Sequence, residues 1–143
     1  MKHLTDYYHN RKLLKELKHD RVEYRPTKDK AWEWFNILNQ QIFSNKLKPV
    51  DKIFFSSRKE DQDCYAFYYY YDKNDPKHGQ TSISLIKKYE DEKFFVEILA
   101  HEMVHHFQHL YDEPAGHGPT FLAWREKLKL KGLTLYKVRS EEH

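Results

Sequence analysis

The chain has 143 residues, a length that favours one domain with a hydrophobic core. Its formal net charge is only +3, so composition alone does not indicate a nucleic-acid-binding protein. A single cysteine, Cys64, excludes an internal disulfide and a zinc ribbon built from several cysteines. The N-terminus lacks the apolar run of a signal peptide, and no segment has the length and apolar character of a transmembrane helix. We therefore expect a cytoplasmic, intracellular protein with no membrane partner.

The first 25 residues are basic, with seven lysines and arginines against four acids. Apolar residues at Tyr7, Leu13, Leu14 and Leu17 predict a short amphipathic helix. This segment is either an arm that contacts nucleic acid or a solvated helix that packs on the domain. The proline at position 26 ends it, because the residue before a proline avoids the helical region. We divide the chain into a basic helix or arm over residues 1–25 and the main part of a single domain over residues 26–143.

A core helix and a first strand follow. Apolar residues recur at helical spacing from about Lys30 to Phe43, and Thr27 or Asp29 can cap this helix. Residues 52–56 then have the composition of a short strand.

Two further segments predict a β-hairpin. Residues 64–71 are rich in aromatic residues that fit a pleated surface, and residues 81–85 alternate polar and apolar side chains. Residues 72–79 between them have the composition of a turn. The tyrosines of the first strand are compatible with base stacking, but aromatic side chains are ordinary in sheets. We expect Cys64 to be a small packed side chain rather than a nucleophile.

A helix predicted from about residue 91 to residue 110 carries the motif His-Glu-x-x-His. Residues four apart lie about 40° apart around a helix and one turn along it, so His101 and His105 can bind one metal ion. Glu102 projects from nearly the same side, close enough to hold a water at the metal. A catalytic zinc site also needs a third ligand and an open position for water. We expect the apolar residues of this helix on the opposite face, at Phe95, Val96, Leu99, Met103, Phe107 and Leu110.

The candidates for the third ligand are His106, His109, His117, Asp112 and Glu113. His106 lies about 140° round the helix from the first motif histidine, which turns it away from the metal. His109 lies about 12 Å along the axis from that histidine, and three histidines in a line cannot form three corners of a tetrahedron. His117 follows a loop that can fold back over the helix, and the glycines on either side permit tight backbone geometry. We favour His117; the two acids, which follow the helix too soon for an easy return, are the alternatives.

The end of the chain predicts one more helix and a tail. Pro119 suits the first turn of a helix that runs to about Lys131, and Gly132 follows at its C-terminal cap. Residues 133–138 then form a short extended segment.

Two motifs together, the one over residues 101–105 and the run Gly-His-Gly-Pro-Thr-Phe over residues 116–121, resemble the SprT-like family, which includes the Spartan proteases. The similarity covers roughly residues 30–138. It also includes the opening helix and its ending over residues 34–47, the strand segment 83–85 and a closing strand over residues 133–136.

The resemblance implies an α+β fold of the zincin type, with a small sheet of about three strands packed on the motif helix and flanking helices. It implies one zinc ion bound by His101, His105 and His117, with Glu102 as the catalytic base. It also implies a metallopeptidase, directed in the best-known members at proteins crosslinked to DNA. The single cysteine departs from the cysteine zinc ribbon that often follows the family's protease domain, so DNA is a candidate partner only.

The expected reaction is hydrolysis of a peptide bond in a protein substrate, with Glu102 accepting the proton of the attacking water. The substrate can lie extended along a strand if that strand is an exposed edge, and the candidate residues are Thr81, Ser82, Ile83, Ser84 and Leu85. Gln108 and His109 are candidates to orient the metal ligands. We expect a monomer.

Two alternatives remain. One is a non-enzymatic, zinc-stabilised module that binds nucleic acid through the basic N-terminus and the tyrosine strand. Glu102 argues against it, because a structural zinc site has no use for that carboxylate. The other is a hydrolase of a non-peptide amide that uses the same zinc chemistry.

Overall fold

A computed structural model describes residues 4–56, 65–71 and 74–136, with the backbone alone for residues 4 and 5. Its three-stranded mixed sheet packs against a long helix, so the predicted α+β class and small sheet are confirmed. Cys64 lies outside the described residues, as do residues 137 and 138 of the predicted tail. None of the helices in the described ranges combines the length and the apolar character needed to cross a membrane.

The first two helices pack on each other. They are α1 (Leu4–Glu16) and α2 (Lys28–Gln41). Helix α2 begins at Thr27, one of the two predicted caps, whose hydroxyl accepts the backbone N–H of Lys30 at 3.1 Å. Leu14 of α1 is buried in the core, and Asn10 Nδ2 donates to Gln40 Oε1 at 2.7 Å. The basic N-terminal segment therefore contributes a helix that lies against α2.

Strand β3 occupies the middle of the sheet. The strands are β1 (Lys52–Phe55), β2 (Ala66–Tyr70) and β3 (Thr81–Leu85). Ile83 of β3 lies opposite Ile53 of the parallel strand β1 and opposite Tyr68 of the antiparallel strand β2. The predicted hairpin of β2 and β3 is confirmed.

The condition under which a substrate could lie along β3, that this strand is an exposed edge, is not met. This strand has a hydrogen-bonded neighbour on both sides, so its backbone groups are used within the sheet. Four of its five residues are buried. The alternation in the sequence indicates a strand but does not report its position in the sheet. The correction applies to Thr81, Ser82, Ile83, Ser84 and Leu85.

Helix α3 (Glu92–Leu110) is the centre of the fold. Asp91 caps it, because the Oδ1 atom accepts the backbone N–H of Phe94 at 2.8 Å. Fourteen of the 19 residues of α3 are buried, and the helix contacts α2, β2 and the short helix over Pro119–Leu122. Four of the predicted core residues, Phe95, Val96, Leu99 and Met103, are fully buried as expected, and the side of the helix that carries Glu97 and His101 is enclosed as well.

Two short helices follow, α4 (Pro119–Leu122) and α5 (Arg125–Leu130). The sequence predicted one continuous helix here. At the junction the backbone N–H of Trp124 bonds three residues back to the carbonyl oxygen of Phe121, at 3.1 Å, which tightens the turn. Gly132 ends α5 with φ +82°, a conformation that favours glycine. Residues 133–136 then run outside the sheet, with both of their leucines buried.

Candidate metal centre

Three imidazole rings converge beside the second half of α3. His101 and His105 lie one turn apart on the helix, and His117 comes from the loop between α3 and α4. The Nε2 atom of His101 lies 3.2 Å from that of His105 and 3.2 Å from that of His117. One nitrogen of each ring lies within 4.8 Å of the others, and both helix histidines are buried. This group can hold a metal ion.

The backbone of the loop brings His117 to the helix. Asp112 and Gly116 have φ of +56° and +100°, and these left-handed conformations turn the chain back after α3. Gln108 Nε2 holds the returning segment by donating to the carbonyl oxygen of Gly116 at 3.1 Å. The structure thus places His117 with the helix histidines, whereas Asp112 and Glu113 do not join the group.

The backbone of Tyr136 orients the ring of His101. The Nδ1 atom of His101 lies 2.6 Å from the carbonyl oxygen of Tyr136. A carbonyl oxygen only accepts hydrogen bonds, so Nδ1–H donates and Nε2 is left with the lone pair that binds a metal.

Gln108 does the same for His105. His105 Nδ1 lies 2.9 Å from Gln108 Oε1, while Gln108 Nε2 donates to Thr120 Oγ1 at 3.0 Å. The Thr120 hydroxyl donates to the carbonyl oxygen of Pro114 at 2.8 Å, so it must accept from the amide of Gln108. This chain of donors fixes the amide orientation. His105 therefore donates from Nδ1 and presents Nε2 to the metal site.

The three nitrogens are compatible with zinc. With Zn–N bonds of about 2.0–2.1 Å, two ligands of a tetrahedral site lie about 3.3–3.4 Å apart. The two 3.2 Å separations from Nε2 of His101 are close to that value. Three protein ligands that leave a fourth position are typical of catalytic rather than structural zinc.

Phe121 forms a shared wall behind the ligands. This fully buried ring lies 4.7 Å from the ring of His101, 5.3 Å from that of His105 and 4.8 Å from that of His117, between centroids. Sequence reasoning gave Phe121 and Tyr136 no role at the site. Phe121 is part of the second motif, and this position could have indicated a role near the site. Tyr136 acts through its backbone carbonyl, which every residue type has, so the sequence could not have indicated its role.

Glu102, the predicted catalytic base, is fully buried on α3 beside His101. A carboxylate enclosed in this way lies in surroundings of low dielectric, where electrostatic interactions are stronger than in water. Burial raises the pKa of Tyr89 well above its usual value, and the charge of Glu102 acts in the same direction.

The other two histidines of α3 point elsewhere. His106 lies 2.7 Å through Nδ1 from the hydroxyl oxygen of Tyr68 and 2.6 Å through Nε2 from the carbonyl oxygen of Lys48. Burial lowers the pKa of His106 to about 4, so the ring is neutral at physiological pH. His109, one of the two candidates to orient a ligand, instead packs on Tyr70 with 4.5 Å between ring centroids.

A cavity of about 190 Å³ opens beside His105, one of the three converging histidines. Its lining also includes the strand residues Tyr68 and Tyr70, and His109. A wider cleft of about 510 Å³ shares Tyr70 and His109 with this cavity and continues toward His78. Of the three converging histidines, His105 lines the smaller cavity, on the side on which β2 lies.

The fold and the three converging histidines define a small α+β domain that can bind a metal ion. The sequence model of the SprT-like family matches residues 31–139, and the chain belongs to this family. Family membership indicates a metallopeptidase-like domain. Comparison with curated proteins gives no significant match.

Proposed function

We propose that this protein is a zinc-dependent metallopeptidase of the zincin type, with one zinc ion held by His101, His105 and His117. The observation that carries the proposal is the convergence of three imidazoles, two of which are fixed through Nδ1 so that Nε2 faces the site. Family membership supports the same function.

The chain's own residues supply the proton transfers. A zinc ion held by these three histidines would lower the pKa of a bound water to about 7 and would polarise a peptide carbonyl. Glu102 accepts the proton of the attacking water and passes it to the leaving amine. Its burial on α3 keeps bulk water from competing for that proton.

The substrate lies extended alongside β2 in this proposal. Strand β2 is an outer strand of the sheet, and Tyr68 and Tyr70 line the cavity that contains His105. Main-chain recognition at a sheet edge gives affinity with little side-chain specificity. That DNA-associated proteins are the natural substrates stays a prediction from the family resemblance.

The test measures bound zinc and cleavage of an unfolded protein, with and without single-stranded DNA. We expect Glu102→Gln to bind zinc as the wild type does and to lose about 10²–10⁴-fold in activity, because the base is removed. We expect His117→Ala to lose most of its zinc. His109→Ala removes a histidine from the same helix outside the ligand group and should retain zinc.

Three outcomes would contradict the proposal. Full activity of Glu102→Gln would exclude the proposed base. Wild-type zinc affinity of His117→Ala would place the third ligand elsewhere. Zinc binding without cleavage of any protein substrate would favour the non-enzymatic alternative.

A further inference from the structure

A buried carboxylate lies one helical turn before the first metal ligand. Glu97 of α3 is fully buried, and its Oε2 atom accepts the backbone N–H of Thr134 at 2.9 Å. Burial raises the pKa of Glu97, because removing the carboxylate from water is unfavourable for its charged form.

The segment that Glu97 holds is the one that orients His101. Residues 133–136 belong to no strand of the sheet, so the ladder of hydrogen bonds that fixes a strand does not fix them. Leu133 and Leu135 are buried, and Glu97 accepts from the backbone N–H of Thr134, which lies between them. The carbonyl oxygen at the end of this segment then accepts from His101 Nδ1.

The N-terminal segment reaches the same carboxylate. His19 Nε2 lies 3.4 Å from Glu97 Oε1, and His19 Nδ1 lies 3.3 Å from both carboxylate oxygens of the helix cap Asp91. The backbone N–H of Arg21 donates to Asp91 Oδ2 at 3.2 Å. His19 and Arg21 both precede residue 31, where the match to the family model begins.

We propose that Glu97 and His19 are positioning residues of the metal centre. Glu97 holds residues 133–136 so that the carbonyl of Tyr136 orients His101, and His19 orients Glu97 from a segment outside the family match. This inference rests on the proposed metal site. Groups that orient metal ligands in this way typically change metal affinity by 10- to 100-fold.

The test uses the full chain and measures the zinc dissociation constant by competition with a chromophoric chelator. We expect Glu97→Leu to weaken zinc binding about 10- to 100-fold, because it removes every hydrogen bond of the carboxylate. Glu97→Gln keeps an oxygen that can accept from Thr134 and should restore much of the affinity. The visible spectrum of the Co²⁺-loaded protein should change in Glu97→Leu, because His101 takes a different orientation.

His19→Ala provides a second variant that does not disturb the core, because 39% of the His19 side chain is exposed. It should weaken zinc binding by less than Glu97→Leu does. If His19 acts through Glu97, the double variant His19→Ala/Glu97→Leu should bind zinc no more weakly than Glu97→Leu alone.

Leu38→Ala is the control for a loss of stability alone, since Leu38 is a fully buried aliphatic residue on α2. It should lower the unfolding free energy and leave both the zinc dissociation constant and the Co²⁺ spectrum unchanged. Wild-type zinc affinity in Glu97→Leu and His19→Ala would overturn this inference while leaving the proposed peptidase intact. Absence of zinc binding in the wild type would instead overturn the proposed function.

Discussion

Gln108 orients one of the three histidines of the proposed metal site. Its carbonyl oxygen faces His105 Nδ1, and its amide nitrogen bridges Gly116 in the returning loop and Thr120 in α4. One residue therefore orients a ligand on the helix and also ties down the segment that carries His117. Few side chains other than glutamine or asparagine offer both a donor and an acceptor in this geometry.

We expect Gln108→Leu to weaken zinc binding about 10- to 100-fold, because His105 loses the acceptor that selects its tautomer. Chelator competition measures the effect. Gln41→Leu is a matched control, since Gln41 is a buried glutamine on α2 whose amide donates to the backbone of Tyr7, away from the site. Equal zinc affinities of the two variants would show that Gln108 does not position the ligand.

For individual residues, the sequence predicted the three histidines and Glu102 together. Helical spacing and a loop histidine flanked by glycines can both be recognised from the residue types alone. The sequence could not predict the roles of Tyr136 or Glu97. The first acts through its backbone, and the second acts through a contact with a segment 37 residues away in the chain. Such contacts depend on tertiary packing, which no local pattern reports.

Asp91 caps helix α3 and is itself held by His19 and Arg21 of the N-terminal segment. Burial alone would raise the pKa of Asp91, but the backbone N–H groups of Phe94 and Arg21, together with His19, hold it below its usual value. The carboxylate thus serves the helix N-terminus and the N-terminal segment at once.

Because the pKa of Asp91 is lower in the folded chain than in the unfolded chain, its ionised form stabilises the fold. That contribution is complete above a pH of about 4 and is lost as the pH falls through the folded-state pKa. We expect Asp91→Ala to lower the unfolding free energy by about 1–2 kcal/mol at pH 7. Urea denaturation of both proteins from pH 6 to pH 2, with a chelator present, should show the difference shrinking on acidification. A difference that does not vary with pH would contradict the assignment.

The elements themselves were largely predictable from the sequence. The cap at Thr27, the helix around the motif and the hairpin all follow from local patterns. The order of the strands could not be predicted from local patterns, because β3 pairs with β1 across 25 residues or more of intervening chain. Hydrophobic alternation carries no information about which strand lies in the middle.

Across the whole molecule, the candidate metal centre joins segments that are distant in the chain. Its ligands lie on α3 and on the following loop, and the carbonyl that orients His101 comes from residues 133–136. A ligand that binds only the folded state stabilises it, by about 2.7 kcal/mol at a concentration 100 times its dissociation constant.

We therefore expect zinc at that concentration to raise the melting temperature by roughly 5–10 °C over the chelator-treated protein. Differential scanning calorimetry measures the shift. Glu102→Gln should keep it, because this glutamate is not a ligand in the proposed site, whereas His117→Ala should lose most of it. A shift of wild-type size in His117→Ala would argue against binding at these three histidines.

The enclosure of α3 also has a consequence for substrate choice. Helix α3 is packed against α2, α4 and β2, so in the proposed peptidase the target would have to bring its scissile bond to the cavity beside His105. A peptidase of this design would discriminate by the flexibility of its substrate more than by its sequence. Loosened or partly unfolded proteins would be cleaved, and well-folded neighbours in the same compartment would be spared.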